Sequence, residues 1–429
     1  MLLVHLHDDS RRARYVVRHV LERMLGVTVT FSIDLEEFRT ASMPRLQYGG
    51  EASPGALYIP YSGALAACRP GMPEPPARSH VGAIRLFEGD DGLDVFARVF
   101  RLLSLAHEYA PHPVDQHGRL PSTEQFVVRH GLEQVPWVDH WALGLRADLL
   151  RRFPAMRFRR TYSHVLTVDV DNGLKYLGRP LHRAVGASLK ELIGGRSADL
   201  RQRWAVRRGH VHDPYAALPK VLAEVRAEVT RAIAFILVQG DRAFDHAADI
   251  LHPAFRQLLA NLEGQAELGI HPSHASSEDP TLLGTERDRL RALVQGPVLA
   301  SRQHFLRWRL PDTLRALATA GVREEHTLGF SDRIGFRAAT CTPFAWYDLE
   351  REQETGLVLW PFAAMDSALR DKQGLGPGDA MRAMFSVCDA VRAVEGTFVS
   401  VWHDRFLSGD GPYAGWPTAM QQVVQYARP

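Results

Sequence analysis

The stretch LTVDVDNG, Leu166 to Gly173, decides the fold of this chain. It begins as an apolar run typical of a buried β-strand and then places two carboxylates, Asp169 and Asp171, one residue apart. Strand-like and helix-like segments alternate after it, an order that favours parallel strands joined by helices. In such folds functional groups gather where the strands end. The stretch therefore predicts an α/β sheet or barrel with Asp169 and Asp171 at its functional edge.

The alternation that follows this stretch extends over the central part of the chain. Apolar strand patterns and helical periodicities come in the order 232–238, 252–264, 266–271, 284–296, 298–305 and 311–322. Before the stretch, short apolar runs mixed with turn signals predict a smaller mixed α/β domain. Within it, Asp94 to Ala110 has the spacing of an amphipathic helix with Asp94 as its N-cap. The basic run near 154–162 separates the two parts, so we expect domains at 1–155 and 162–429.

Length and composition are those of a soluble globular protein. The 429 residues are 45% hydrophobic and 23% charged with a net charge of +2, a balance that does not suggest a nucleic-acid partner. The three cysteines, Cys68, Cys341 and Cys388, are too far apart for a disulfide framework or a CxxC metal site. We find neither a secretory signal nor an apolar run of about 18 residues that would predict a membrane span. We therefore expect a cytoplasmic protein.

Polar residues stand at the ends of several predicted strands. Asp241 follows FILVQG, His271 ends ELGIH, Arg302 and His304 follow VLAS, and His403 ends TFVSVW. If the strand ends converge on one rim, these side chains meet Asp169 and Asp171 there. One carboxylate and two imidazoles form a usable set for a catalytic divalent metal, because three protein ligands leave a position open for water.

The spacing also suggests a division of labour between the two carboxylates. With Asp171 on the metal, Asp169 can act as general base on the water, and Arg302 can keep Asp169 ionised. His403 can then protonate a leaving amine. The alternatives are structural roles. In these, the aspartates cap a loop, as Asp commonly does, His271 belongs to a turn before Pro272, and His304 and His403 are hydrogen-bonded core residues.

At this point the residues resemble a known family. TVDVDN resembles the first motif of the polysaccharide deacetylases, the NodB-homology family or carbohydrate esterase family 4. AFILVQGDRAFD is similar to their second strand, GIHPSHAS to their metal-histidine motif and VSVWH to their closing motif. A more specific resemblance is to a bacterial subgroup with an uncharacterised N-terminal domain, through GLDVFARVFRLLSLAHEY, DQHGRLP, VPWVDHW, SRQHFLRW and GFSDRIGFRAATCTPFAWYDLE. It covers nearly the whole chain.

The resemblance implies a distorted (β/α)7-type barrel that removes N-acetyl groups from amino sugars with the help of a divalent metal. It matches Asp169 to the catalytic base, Asp171 and His271 to metal ligands, His403 to the catalytic acid and Arg302 to the arginine that pairs with the base. The metal we expect is Zn, with Co, Ni, Mn or Fe as alternatives.

The sequence departs from the family at one metal ligand. The second metal histidine of the family lies four residues after the first, where this chain has Ala275. His304 and His274 are the two candidates to replace it. We prefer His304, because a ligand from a different strand end gives a better angular spread around a metal. Without either, the metal would bind weakly or the protein would be a noncatalytic relative.

Three further residues are candidates for substrate binding. Arg337 is expected at a strand end, where it holds sugar hydroxyls or an anionic group or else pairs with Asp332 or Asp348. Trp346 and Trp402 are candidates for stacking on a sugar ring, although core packing is the expected role of at least one of the aromatic residues here.

The sequence thus predicts a metal-dependent carbohydrate N-deacetylase, with an intracellular glycan precursor as substrate. Two alternatives stay open, a hydrolase of another non-peptide C–N bond and a noncatalytic glycan-binding or scaffold protein. The N-terminal domain has a polar cluster that we interpret as a helix end followed by a capped loop: His107, Glu108, Asp115, His117 and Arg119. This domain could cover the barrel mouth, bind the polymer or mediate oligomerisation, and the oligomeric state is not predicted.

Overall fold

The N-terminal region forms a small parallel sheet with helices around it. The computed structural model describes residues 1–72, 94–240 and 243–429. The strands of this sheet are β1 (Leu2–Leu6), β2 (Val29–Ser32), β3 (Arg45–Tyr48) and β4 (Leu57–Ile59), in the order β2-β1-β3-β4. The helices are α1 (Arg11–Arg18), α2 (Leu35–Thr40), α3 (Ala64–Ala67), α4 (Val95–Leu103), α5 (Phe126–Arg129) and α6 (Trp137–Arg152). The predicted cap of α4 is confirmed, since the Asp94 carboxylate accepts from the Ala97 amide at 3.0 Å.

The rest of the chain builds a larger sheet of nine strands. Its strands are β5 (Ser163–Val170), β6 (Arg231–Ile236), β7 (Glu267–Ile270), β8 (Ala300–Ser301), β9 (Glu324–Glu325), β10 (Phe344–Asp348), β11 (Gln353–Leu359), β12 (Ala364–Met365) and β13 (Thr397–His403). The order is β10-β11-β9-β8-β7-β6-β5-β13-β12, and all neighbours are parallel except the antiparallel pair β10 and β11. The prediction of an α/β fold with a parallel sheet is confirmed.

Helices cover this sheet between its strands, and both sides of β5 and β6 are buried. The helices are α7 (Leu181–Ile193), α8 (Ser197–Arg207), α9 (Leu218–Val225), α10 (Pro253–Glu263), α11 (Thr281–Arg291), α12 (Asp312–Thr319), α13 (Pro377–Ala393), α14 (Asp404–Leu407) and α15 (Trp416–Tyr426). The predicted alternation from β6 to α12 is present, although the run 298–305 is regular strand only at Ala300 and Ser301. No described helix is both long and apolar enough to cross a bilayer.

An irregular segment joins β11 to β12 in the larger sheet. Among the described strands, no ladder joins β12 to β10, so the order is open and a closed barrel is not formed by strand pairing. The segment from Trp360 to Ala363 runs between β9 and β13. Its Phe362 amide donates to the Leu328 carbonyl at 2.9 Å, and its Ala363 amide donates to the Val399 carbonyl at 3.0 Å. The segment therefore bonds to the loop after β9 on one side and to β13 on the other.

The hydrophobic core of the N-terminal region continues into the second half of the chain. Buried side chains of α1 and α4 lie in one cluster with those of β10 and β11. Within it the Tyr15 hydroxyl donates to the Ala345 carbonyl at 2.7 Å, and the rings of Tyr15 and Tyr347 lie 5.1 Å apart. The antiparallel pair, which the sequence did not predict, is thus the surface on which the N-terminal region packs.

Candidate active site

The carboxyl ends of the central strands bring the predicted polar residues together. The neighbours β13, β5, β6, β7 and β8 are parallel, so their ends lie along one edge of the sheet, with His403 in register with Asp169. A cavity of about 270 Å³ opens there. It is lined by His117, Arg119, Asp169, Asp171, His271, Gln303, His304, Phe305, Leu306, Ser331, Met365, Ser367, Asp371, Lys372, His403 and Arg405.

Three of these residues form a group that fits a metal ion. One ligand atom from each of Asp171, His271 and His304 lies within 4.8 Å of the others. The Asp171 Oδ1 atom is 3.3 Å from His271 Nε2 and 3.7 Å from His304 Nε2. This oxygen is buried and has no hydrogen-bond partner in the part of the chain that the structure describes. A buried carboxylate oxygen without a donor, facing two imidazole nitrogens, suits a divalent cation.

Each imidazole of this group is oriented by a partner behind it. His271 Nδ1 lies 2.5 Å from the Arg302 carbonyl oxygen, and His304 Nδ1 lies 2.9 Å from a carboxylate oxygen of Asp245. If the Nδ1–H of each ring donates to its acceptor, the lone pair of each Nε2 faces Asp171. Metal-binding histidines are normally held in this way.

Asp245 is a functional residue that the sequence analysis missed. It lies in the AFILVQGDRAFD stretch, where the analysis singled out Asp241, a residue outside the described part of the chain. The sequence does show a second carboxylate four residues after Asp241, but nothing in the spacing marks it as part of the site. Its buried position and its bond to His304 are long-range features that neither spacing nor periodicity reveals. The His304 hydrogen bond lowers the pKa of Asp245 although burial alone would raise it.

The Asp171 carboxylate is ionised. Burial alone would raise its pKa, but the neighbouring His271 and the charges of His403, His304 and Arg405 lower the pKa well below its ordinary value. The Arg405 guanidinium lies 2.9 Å from Asp171 Oδ2, the oxygen that faces away from the two imidazoles. Arg405, too, was not singled out from the sequence, although it follows His403 by only two residues.

Asp169 is paired with Arg302, as the sequence analysis expected. The Arg302 guanidinium is fully buried and donates to Asp169 Oδ1 at 2.8 Å and to the Thr167 hydroxyl at 2.9 Å. Its Nε atom donates to the His326 carbonyl at 3.0 Å, and the guanidinium lies over the ring of Phe235. The other oxygen, Asp169 Oδ2, faces the cavity and lies 4.0 Å from the Nε2 atoms of both His271 and His403.

His403 faces Asp169 from the other side of the cavity and is held by Asp366. The Nδ1 atom lies 2.6 Å from one Asp366 oxygen, and the His403 amide donates to the other at 2.8 Å. Burial alone would lower the pKa of His403, but mainly the Asp366 charge and hydrogen bond raise it to about 9. The ring is therefore protonated at neutral pH. Asp366 is a third residue that the sequence did not indicate; it directly follows the two-residue strand β12, which was not predicted.

The alternative ligand His274 lies outside this group. Its ring stacks on Phe244 with the centroids 4.3 Å apart, and the Arg307 guanidinium donates to its carbonyl at 3.2 Å. The group within metal-binding distance contains His304 instead. The two residues after His304, Phe305 and Leu306, both have left-handed backbone angles, with φ of 60° and 56°.

The structure does not bring the three expected substrate-binding residues into the cavity. Trp346 and Trp402 are each only 1% exposed and belong to hydrophobic clusters, so neither ring offers a face to a sugar. Arg337 lies in a loop before β10 instead of at a strand end. It pairs with Glu108 at 2.6 Å, not with Asp332 or Asp348. The sequence pointed to these residues because apolar and aromatic neighbours are found both in hydrophobic cores and in binding surfaces.

A loop of the N-terminal region forms one wall of the cavity. Asp115 accepts from the amides of His117 and Arg119 at 2.9 and 3.0 Å and also pairs with the Arg119 guanidinium at 2.6 Å. The capped loop that the sequence predicted is therefore present. Arg119 also donates to the Phe305 carbonyl at 2.8 Å, and the His117 ring stacks on the Phe305 ring. The loop that Asp115 caps is therefore the same loop that lines the cavity.

Comparison with known protein families gives a match in the N-terminal region. Residues 2–154 match a family of unknown function (DUF7033). No curated protein matches the chain. The chain is similar, with 15% identity and a TM-score of 0.41, to the structure of a candidate polysaccharide deacetylase from Mycobacterium smegmatis, over 62% of this chain and 83% of that one.

Two further solved structures show likenesses of the same order. One is a candidate polysaccharide deacetylase involved in O-antigen biosynthesis from Bordetella bronchiseptica, with 16% identity and a TM-score of 0.31 over 61% of this chain and 89% of that one. The other is a 4-alpha-glucanotransferase from Thermococcus litoralis, with 13% identity and a TM-score of 0.34 over 63% of this chain and 37% of that one. Because these scores are low, the activity has to be inferred from the residues of the site.

Proposed function

We propose that this protein is a metal-dependent hydrolase that removes an N-acetyl group from an amino sugar of a glycan or glycan precursor. The observation that carries the proposal is the placement of Asp169 with Arg302, and of His403 with Asp366, on either side of the Asp171, His271 and His304 group. A general base, a general acid and a metal-binding set share one cavity. The larger domain, residues 162–429, is then a NodB-like barrel with an incomplete wall.

Asp171, His271 and His304 would hold the metal, Zn by first preference. When bound, a divalent cation lowers the pKa of coordinated water and polarises a carbonyl oxygen. His271 and His304 present Nε2, because the Arg302 carbonyl and Asp245 take the Nδ1 side. The partner of each ring also limits its rotation, so the ligand set is preorganised.

Asp169 is the proposed general base. Its Oδ1 accepts a hydrogen bond from the buried Arg302 guanidinium, which fixes the orientation of the carboxylate. Its Oδ2 is free to accept the proton of an attacking water. Arg302 acts through Asp169 and has its own contacts with Thr167 and His326, so it is a positioning residue.

His403 is the proposed general acid. Asp366 holds the Nδ1 side and raises the pKa of the ring, so the Nε2 proton faces the cavity at neutral pH. Loss of that proton to the nitrogen of the breaking amide bond lets an amine depart, with acetate as the other product. The proposal therefore predicts release of one acetate for each amine formed.

Metal content and acetate release test the two halves of the proposal. We expect elemental analysis of the purified wild type to give near-stoichiometric metal that Asp171→Ala and His304→Ala lose and the matched control His274→Ala keeps. Asp169→Asn should keep the metal and lose acetate release from a panel of N-acetylated amino sugars. A wild type that binds no supplied metal would contradict the mechanism. Turnover of a cyclic imide without acetate would instead favour hydrolysis of another C–N bond.

A further inference from the structure

Helix α7 presents an apolar face to solvent. Its large apolar side chains at 181, 185, 189, 192 and 193 are 53% to 79% exposed, whereas only Ala184 and Glu191 of the helix are buried. Residues 181, 185 and 189 follow each other at intervals of four, so they form one stripe along the helix. Contiguous exposed apolar surface of this kind marks a contact with another phase or molecule.

Basic side chains surround this stripe. Between 181 and 208 the sequence has seven Lys and Arg against two Asp and Glu, while the whole chain carries a net charge of only +2. Five of the seven are exposed and form no ion pair with a described residue: Arg183, Lys190, Arg196, Arg201 and Arg208. Glu191, one of the two acids, is neutralised by Arg203 at 2.5 Å. The surface therefore complements an anionic partner.

The apolar stripe and the basic residues lie on adjoining sides of α7. At about 100° per residue, Leu181, Val185 and Leu189 fall within one third of the helix circumference, and Arg183 and Lys190 fall on the next third. A helix that is apolar on one side and basic on the other is suited to the plane of an anionic membrane surface. A protein partner would require a groove that complements the shape of this helix. A bilayer requires only that the apolar side chains can enter it and that its headgroups are anionic.

The face lies at the same end of the larger sheet as the candidate active site. Helix α7 follows the carboxyl end of β5, and the Arg183 guanidinium donates at 3.0 Å to the carbonyl of Gly240, which follows β6. Phe244, a further exposed apolar residue at this end, stacks on His274 beside the cavity. A surface bound by α7 would thus lie near the mouth of the cavity.

We propose that α7 binds the surface of an anionic lipid bilayer, with its apolar stripe at the acyl boundary and its basic side among the headgroups. Buried apolar area and attraction to anionic headgroups both contribute to such binding. The inference rests on exposure, spacing and charge alone, so it stands or falls separately from the proposed hydrolysis.

Vesicle sedimentation with the full-length protein tests this inference. We expect binding to vesicles of phosphatidylcholine with phosphatidylglycerol, weak binding to phosphatidylcholine alone, and a decline with added salt. The double variant Leu189→Glu/Leu192→Glu should bind at least about tenfold more weakly. Lys190→Glu should weaken binding to the anionic vesicles only.

The control is Leu299→Glu, at an exposed leucine that precedes β8 and so lies at the opposite end of the sheet. It should bind like the wild type, and circular dichroism should show that all variants are folded. Wild type that does not sediment with anionic vesicles would overturn the proposal, as would α7 variants that bind undiminished. A wild-type dimer that the α7 double variant dissociates would also overturn it, because a second copy would then be the occupant.

Discussion

Asp366 determines the charge of His403. The carboxylate takes both the ring Nδ1 and the backbone amide of His403, so the ring can neither rotate nor lose its proton easily. His403 is useful as an acid only while it is protonated. Its raised pKa of about 9 therefore means that the acid form is present below that pH and is lost as the pH rises through it.

The variant Asp366→Asn should move the alkaline limb of activity to lower pH. An Asn side chain can still accept from Nδ1–H but lacks the negative charge that raises the pKa of His403. We expect the limb of the pH profile for acetate release to fall by about one pH unit or more. Asp371→Asn, at an exposed carboxylate of the same cavity, is the control and should leave the limb in place. An unchanged limb in Asp366→Asn would refute the role given to Asp366.

A second buried carboxylate makes stability depend on pH. Glu325 is fully buried and accepts hydrogen bonds from the hydroxyls of Ser301 and Thr327 and, at 2.9 Å, from the Thr327 amide. Burial nevertheless raises its pKa from 4.5 to about 7. A carboxyl group with a raised pKa in the folded state contributes stability while it is protonated there. That contribution is present below about pH 4.5 and is lost as the pH rises to about 7.

The variant Glu325→Gln should remove this dependence. We expect the free energy of unfolding of the wild type, relative to Glu325→Gln, to fall by on the order of 3 kcal/mol between pH 4.5 and pH 8. Urea unfolding at a series of pH values measures it. The neighbouring Glu324→Gln is a control of opposite sign, because hydrogen bonds from His326 and Arg231 lower the pKa of Glu324 overall. Parallel curves for wild type and Glu325→Gln would contradict the prediction.

At the scale of elements, a loop from one part of the chain restrains a loop of the other. The turn Asp115 to Arg119 donates to the carbonyl of Phe305, in the segment where two successive residues have left-handed backbone angles. Such angles are unfavourable for residues other than glycine and persist only where surrounding contacts impose them. His304, which precedes them, depends on the same contacts for its position.

Removal of this restraint should weaken metal binding without unfolding the protein. For Arg119→Ala we expect an increase of about tenfold in the metal dissociation constant, the scale typical of residues that orient ligands. Competition with a chelator of known affinity measures it. Arg151→Ala, at an exposed arginine of α6, should bind metal as the wild type does. Equal affinities for Arg119→Ala and wild type would show that the loop does not position His304.

Some of the residues of the candidate site could be predicted from the sequence and others could not. The strand ends that carry Asp171, His271 and His304 could be predicted, because apolar runs followed by polar residues mark them and parallel strands end on one edge. Asp245 and Asp366 could not, because a loop places Asp245, the strand before Asp366 is only two residues long, and only the folded chain shows what the two carboxylates face. Trp346 and Trp402 misled for a related reason: a strand buried on both faces carries no alternation that separates core from site.

At the scale of the whole molecule, the N-terminal region and the larger sheet are one structural unit. Besides the continuous apolar core, a buried ion pair joins them: Glu108 binds the Arg337 guanidinium at 2.6 Å and the Trp308 indole nitrogen at 2.9 Å. The Trp308 ring also lies beneath the Arg337 guanidinium. Glu108 of the N-terminal region thus compensates the charge of the buried Arg337, which belongs to the other part of the chain.

The variant Glu108→Ala should destabilise the whole chain. Loss of one partner leaves a buried charge uncompensated, which costs about 3 to 5 kcal/mol. We expect one cooperative transition at lower denaturant concentration, measured by circular dichroism in urea. Glu354→Ala, which breaks the exposed pair with Arg23 across the same boundary, should cost less than about 1 kcal/mol. Two separate transitions in the wild type would show that the parts unfold independently.

The segment from Trp360 to Ala363 lies outside the strand ladders of the larger sheet. Along β5, β6 and β13, each amide belongs to a ladder of several bonds that break together, whereas the Phe362 amide bonds to the Leu328 carbonyl outside any described strand ladder. Deuterium should therefore replace the amide hydrogen of Phe362 well before those of Leu166 and Val168. Exchange followed by mass spectrometry would show whether this part of the larger sheet opens before the central strands.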